Sequence, residues 1–293
     1  MSNKITTRKN TKPLGKRIGI VLAHVLLAAL AFIWLIPIFW VIMTSFRGTQ
    51  GSYSSTFFPT SYSLKNYIKL FTDFSVFNFP QMLLNTLLVA AVSCLISTFF
   101  VVSVAYTLSR LRFPARKPLM NVAMIIKLFP GFMSMIAVYY IIKMLGWTEG
   151  PMLRVAMICV YAGGAGVDYH IAKGFFDTVP TALDEAARID GATNWGVLTR
   201  IIMPLSKPII VYTLLTSFAG PFKDFMLAKV LCGPNKDYYT VAVGMYQMLE
   251  REYIDQWFCA FAAAAVVISI PIATLFMATQ KYYAEGVSGA VKG

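Results

Sequence analysis

Acids, bases and nucleophiles that could act together are few in this 293-residue chain, and they are scattered. His24 and His170 stand far apart, with neither HExxH nor GxSxG around them, so metalloprotease and serine-hydrolase chemistry find no foothold. Cys94, Cys159, Cys232 and Cys259 have no CxxC spacing, which argues against a zinc site and against a disulfide framework. Gly163, Gly164 and Gly166 lack the strand and turn of a dinucleotide loop, and close helix packing is the expectation for them. There is no GxxxxGK[ST], so nucleotide is not bound through a P-loop. What remains is charge in apolar surroundings: Lys127 and Asp168, then Lys223 and Asp224. Ionisable groups inside an apolar bundle are costly and mark functional positions by default. A Lys127–Asp168 pair would either fix the register of two helices or line a polar path. Lys223 and Asp224 would either snorkel to an interface or line the same path. A membrane-embedded enzyme needs a convergent set of catalytic groups, and these residues do not supply one.

The elements that position those charges are membrane helices. Hydrophobic side chains make up 57% of the chain and charged ones 13%, with a mean hydropathy of +0.64. Soluble domains carry about 25% charged residues, so a water-facing surface could not be covered. The 22 Phe, 15 Tyr and 5 Trp argue against disorder. A bilayer core needs roughly 20 apolar residues per helix, and six segments meet that need: 18–46, 82–109, 119–145, 152–172, 208–230 and 256–280. The first is uncharged over 29 residues, Ile18 to Phe46. That is longer than a signal-peptide core of about 7–15 residues, so an uncleaved first helix is expected behind the basic tail 1–17. The second span is expected to begin after Pro80. With both termini cytoplasmic, inner segments hold sixteen Lys and Arg and outer segments eight. This bias follows the positive-inside rule and explains the net charge of +13 without nucleic acid.

Two loops exceed a mere connector. The outer one, 47–81, carries FFPTSYSLKNYIKLF, whose Tyr and Phe suit the interface between lipid and water. The inner one, 173–207, is polar and helix-patterned. Pro180 and Thr181 can open a helix, good helix formers continue it through Arg188, and Asp190–Gly191 stops it. Thr193 or Asn194 can cap a second short helix towards Pro204. Ala186 and Ala187 offer a face that another protein could approach closely, bordered by Asp184, Glu185 and Arg188.

In that loop Glu185-Ala186-Ala187, three residues, Gly191, nine residues, Ile201, one residue and Met203-Pro204 follow in order. The pattern resembles the EAA motif of ABC importer permease subunits, with Met203 where the motif has Leu. GGAGVDYHIAKGFFDTVPTALDEAARIDGAT, TVAVGMYQML and the terminal FAAAAVVISIPIATLF with GVSGAVKG are similar to the smaller permeases of maltose-type carbohydrate importers, the MalG-like family. SYSLKNYIKLF is similar to that family's first outer loop.

The resemblance implies an all-α integral membrane protein with the six-helix type I importer fold, multi-pass in the plasma (inner) membrane. It implies a homologous second permease, two copies of a cytoplasmic ABC ATPase that carry ATP and magnesium, and an extracytoplasmic sugar-binding protein. This chain would then carry no cofactor and catalyse nothing itself. Asp184, Glu185, Ala186, Ala187, Arg188, Asp190 and Gly191 would form the coupling helix seated in an ATPase cleft. Thr240, Val241, Ala242, Val243, Gly244 and Met245 would reach the binding protein. The tail 286–293, with Gly289, Val291, Lys292 and Gly293, would insert between the ATPase subunits. Maltose or a maltodextrin is the solute that the resemblance favours. A secondary transporter, or a permease for another solute, is the competing reading; it predicts an inverted repeat and has no use for an EAA loop.

Overall fold

A computed structural model describes residues 14–51, 56–129, 131–165 and 168–290. Val291, Lys292 and Gly293 lie outside the described residues, and Gly289 falls in the last helix. The elements in chain order are α1 (Leu14–Ser45), α2 (Lys65–Thr72), α3 (Phe79–Arg110), α4 (Arg116–Leu128), α5 (Gly131–Met144), α6 (Met152–Ala165) and α7 (Tyr169–Thr178). Then come α8 (Thr181–Ile189), α9 (Asn194–Val197), a π turn (Leu198–Ile202), α10 (Met203–Leu205), α11 (Lys207–Lys223), α12 (Met226–Cys232), α13 (Val241–Met248) and α14 (Ile254–Ala290).

Three helices are long and apolar enough to cross a membrane alone: Ile18–Ser45, Phe79–Arg110 and Ile254–Tyr282. Three bent pairs raise the number of spans to six: α4 with α5, α6 with α7, and the irregular helix Asn194–Leu205 with α11. The expected third, fourth and fifth spans are therefore not single rods. The third divides because Phe129 precedes a proline and takes extended geometry (ψ 137°), a preference that Pro imposes on its predecessor. The fifth helix ends at Lys223, Asp224 leaves helical geometry, and α12 resumes at Met226. The fourth runs on to Thr178, six residues past its expected end. The second begins at Phe79, with Pro80 inside its first turn, where a missing N–H costs nothing. Asn78 caps it by accepting the Gln81 N–H at 3.2 Å.

Helix α3 organises the bundle, packing against α6, α7 and α11. It joins two separate cores. Its first half, with Phe79, Met82 and Val89, meets Leu153, Met157, Leu231, Val241 and Trp257 at one end, the outer core in the expected topology. Its second half, with Val101, Ala105 and Tyr106, meets Tyr169, Phe176, Val197 and Ile202 at the other, the inner core. Ser93 and Ser97 are buried between them. Ala260, Ala263 and Ala264 give α14 a buried small-residue stripe, and such a stripe lets neighbouring backbones approach closely. Helix α1 packs along α14, and Trp34 (76% exposed) and Leu27 (63%) turn away from the protein.

Candidate functional site

The loop around α8 is fastened to the C-terminal end of α3. Arg110 Nη2 donates to the carbonyls of Phe176 (2.9 Å) and Val179 (2.7 Å), where α7 ends. Its Nε lies 3.1 Å from Asp184 Oδ2, with both side chains buried (4% and 7% exposed). Ser109 and Lys173 donate to the two oxygens of Asp177, each at 2.6 Å. Tyr106 donates to the Asn194 carbonyl at 3.0 Å, which ties the following helix to α3 as well.

Helix α8 stops as its sequence demands. Gly191 takes φ +84°, a region that costs glycine no steric strain. The Gly191 N–H donates to Arg188 O (3.0 Å) and the Ala192 N–H to Ala187 O (2.9 Å), a Schellman closure. Of the two expected caps for α9, Thr193 is the one used, accepting the Gly196 N–H at 3.2 Å. Glu185, Ala186, Arg188 and Asp190 are exposed, and Ala187 packs on the inner core. Asp184 was expected at the docking face with them; the structure turns it inwards, because Arg110 offers its buried charge a partner. Leu183, Ile189 (86% exposed) and Trp195 add exposed apolar surface to the loop.

The segment expected to meet the binding protein lies inside the fold: Thr240, Val241, Val243, Gly244 and Met245 are buried and Ala242 is half-buried. The reason is polar pinning from α3. The Val241 N–H donates to Thr86 Oγ1 at 2.9 Å. Asn85 Nδ2 donates to the carbonyls of Asp237 (2.8 Å) and Tyr239 (3.2 Å), and its Oδ1 accepts Arg154 Nε at 2.9 Å. Helix α13 is thereby drawn into the outer core.

Between the two cores lies a cavity of about 820 Å³. Asp168 and Asp224 line it together with Ser97, Phe132, Tyr161 and Thr216. Lys127 Nζ donates to Asp168 Oδ1 at 2.9 Å, linking α4 to the residue that precedes α7. That pair is part-exposed (39% and 69%). Lys223 is exposed and is not among the lining residues. Gly163 and Gly164 also open onto the cavity, with nothing within 4 Å of where a Cβ would stand. They widen a space where close packing was expected.

Residues 102–289 match the family described as binding-protein-dependent transport system inner membrane component. The chain belongs to this family. This inner-membrane transport component is 32% identical over 288 residues to the maltodextrin transport system permease protein MalD of Streptococcus pneumoniae, covering 97% of this chain and 99% of MalD. It is 30% identical over 278 residues to the galactooligosaccharides transport system permease protein GanQ of Bacillus subtilis, covering 94% and 96%. It is 30% identical over 298 residues to the maltose/maltodextrin transport system permease protein MalG of Escherichia coli K12, covering 96% and 99%. A bacterial ABC transporter that imports the acidic polysaccharide alginate shares the fold, with a TM-score of 0.73, 21% identity and coverage of 93% and 99%. The transport component is thus a permease subunit of the ABC importer class, with ATP hydrolysis belonging to a separate chain.

Sequence reasoning missed Arg110, Asn85 and Tyr161 in this permease. In the sequence Arg110 is only a basic residue just past the apolar segment 82–109. Asn85 with Thr86, and Tyr161, sit within apolar runs, a pattern that signals burial of a polar group and gives no hint of its partner.

Proposed function

We propose that this permease imports a neutral oligosaccharide of the maltose or maltodextrin kind, and that the loop around α8 transmits ATPase movement to the bundle. The partners would be a second, homologous permease, two cytoplasmic ATPase subunits that bind ATP and magnesium, and an extracytoplasmic binding protein that delivers the sugar. Both termini would be cytoplasmic. The single observation that carries the coupling reading is the two-sided character of α8. Its inner side is locked to α3 through Arg110 and Asp184, while its outer side presents Glu185, Ala186 and Ile189. A load applied to the outer side would be passed to α3, which runs through both cores. The sugar class is supported by the names of the relatives.

Glu185→Lys and Gly191→Val test the coupling. The first turns an attraction into a repulsion at a partly desolvated interface. The second forces a β-branched residue into φ +84°, at a cost of about 1–3 kcal/mol. Both variants should insert normally and lose copurifying ATPase and maltodextrin uptake in reconstituted vesicles. Full retention of both by the two variants would refute the coupling role.

A further inference from the structure

The turn that joins α3 to α4 carries three cations with no counter-charge of their own. Helix α3 ends at Arg110, Leu111 takes extended geometry (ψ 139°), and α4 opens at Arg116. Arg112, Arg116 and Lys117 gather around a cavity of about 420 Å³. Its other walls are Phe113, Pro114 and Met120, so no carboxylate lines it. None of the three cations makes an ion pair or a side-chain hydrogen bond among the described residues. Two acids close by are engaged elsewhere: Asp184 holds Arg110, and Asp177 accepts from Ser109 and Lys173. Arg112 and Arg116 also wall a second cavity of about 520 Å³, where Arg188 adds a further cation and Glu185 is the one carboxylate left over from Asp184.

Like charges gathered at one place attract an anion, and the surroundings decide which kind. The helix Phe79–Arg110 is long and apolar enough to cross a membrane, and α4 with α5 makes a further, bent span. The turn between them therefore lies where the apolar spans give way to headgroups. Helix α4 rests on the inner core through Met120 and Ala123. Leu119, Val122 and Ile126 share another of its faces at helical spacing, and all three are exposed. A free phosphate would neutralise the arginines and leave that apolar wall uncovered. An anionic lipid answers both, as basic pockets between membrane helices take acidic headgroups.

We propose that this turn is a binding site for an anionic glycerophospholipid. Arg112, Arg116 and Lys117 hold the phosphate, Phe113 and Met120 border the glycerol backbone, and an acyl chain lies along Leu119, Val122 and Ile126. The planar fork of arginine matches paired phosphate oxygens. The bound lipid steadies the turn that follows Arg110, the residue that holds Asp184 of α8. The site rests on the membrane spans and is independent of which sugar is carried. With both termini cytoplasmic, it belongs to the cytoplasmic leaflet.

The test uses the whole transport complex, stripped of lipid in detergent, and native mass spectrometry to count retained lipid. The probes are dioleoylphosphatidylglycerol, dioleoylphosphatidylcholine with the same acyl chains, and glycerol 3-phosphate. Wild type should hold phosphatidylglycerol about tenfold more tightly than phosphatidylcholine. Arg112→Gln combined with Arg116→Gln should weaken phosphatidylglycerol binding about tenfold or more, each basic contact contributing several-fold. Lys117→Gln, at an exposed position, should lose less, and it carries the test if the double variant fails to fold. Arg200→Gln removes an exposed charge outside the site and should bind as wild type does. Equal binding of the two lipids by wild type overturns the site. So does unchanged phosphatidylglycerol binding in the double variant, or in Lys117→Gln should the double variant not fold. An equal loss in Arg200→Gln would mark diffuse attraction alone and overturn it too. Glycerol 3-phosphate that displaces the lipid at equal concentration overturns the lipid as occupant.

Discussion

Two ion pairs of similar length differ in what they are worth. Arg110 and Asp184 meet at 3.1 Å with side chains 4% and 7% exposed, whereas Lys127 and Asp168 meet at 2.9 Å with 39% and 69% exposed. A buried charge that loses its partner costs about 3–5 kcal/mol, while an exposed pair contributes about 0–1 kcal/mol. Arg110 also has two backbone carbonyls to lose. Asp184→Leu should therefore lower the melting midpoint of the purified permease sharply, and Arg110→Met with Asp184→Leu should regain part of that loss. The double-mutant cycle for Lys127→Met with Asp168→Asn should give a coupling of about 1 kcal/mol or less. A larger coupling for Lys127–Asp168 than for Arg110–Asp184 would contradict this ranking.

Among the elements, the turn that leads into α13 is held by a single side chain of α3. Asn85 on α3 serves three partners at once: the carbonyls of Asp237 and Tyr239 and the guanidinium of Arg154. Arg154 is further held over the Tyr238 ring at 4.8 Å. Asn85→Leu keeps the volume and removes all three bonds, leaving buried polar groups unsatisfied at a cost of about 2 kcal/mol. Thr86 would still anchor Val241, so the segment should loosen without unfolding. Hydrogen exchange should quicken over 236–248 in Asn85→Leu and stay unchanged over α8. Equal protection of 236–248 in variant and wild type would show that the packing of Val241 and Met248 suffices.

At the scale of the whole molecule, two cores share α3, with a cavity beside its Ser97, an arrangement in which the bundle could rock about its middle. Alternation between outward and inward opening would move the two ends in opposite senses, with α3 as the shared strut. That picture requires the outer core and the α8 loop to lie on opposite faces of the membrane. A thiol at Thr60 should react with an impermeant maleimide in intact cells, and a thiol at Ala115 only after lysis, both in a Cys159→Ser background. Both positions are exposed in the structure, so a failure of accessibility would not arise from burial within the chain. The reverse pattern would invert the topology.

Sequence alone determined the class of this protein, its apolar segments and the helix stop in the loop after α7, because each rests on local properties. Hydropathy is additive along a helix, charge bias needs only loop assignments, and the stop at Gly191 depends on one residue's freedom at positive φ. The helix breaks near residues 130 and 224 were half legible. Proline after Phe129 announced the first, but nothing local marks Asp224 as the residue that leaves helical geometry. Tertiary structure decided the rest, since burial is a property of pairs. Asp184 points inwards because Arg110, 74 residues earlier in the chain, is there to meet it. Thr240 to Met245 are buried because Thr86 reaches across from α3 to the Val241 N–H and Asn85 to the Tyr239 carbonyl just before them. Tyr161 and Asp224 share a cavity only because α6 and α11 are brought together around it, and no spacing within either segment encodes that meeting.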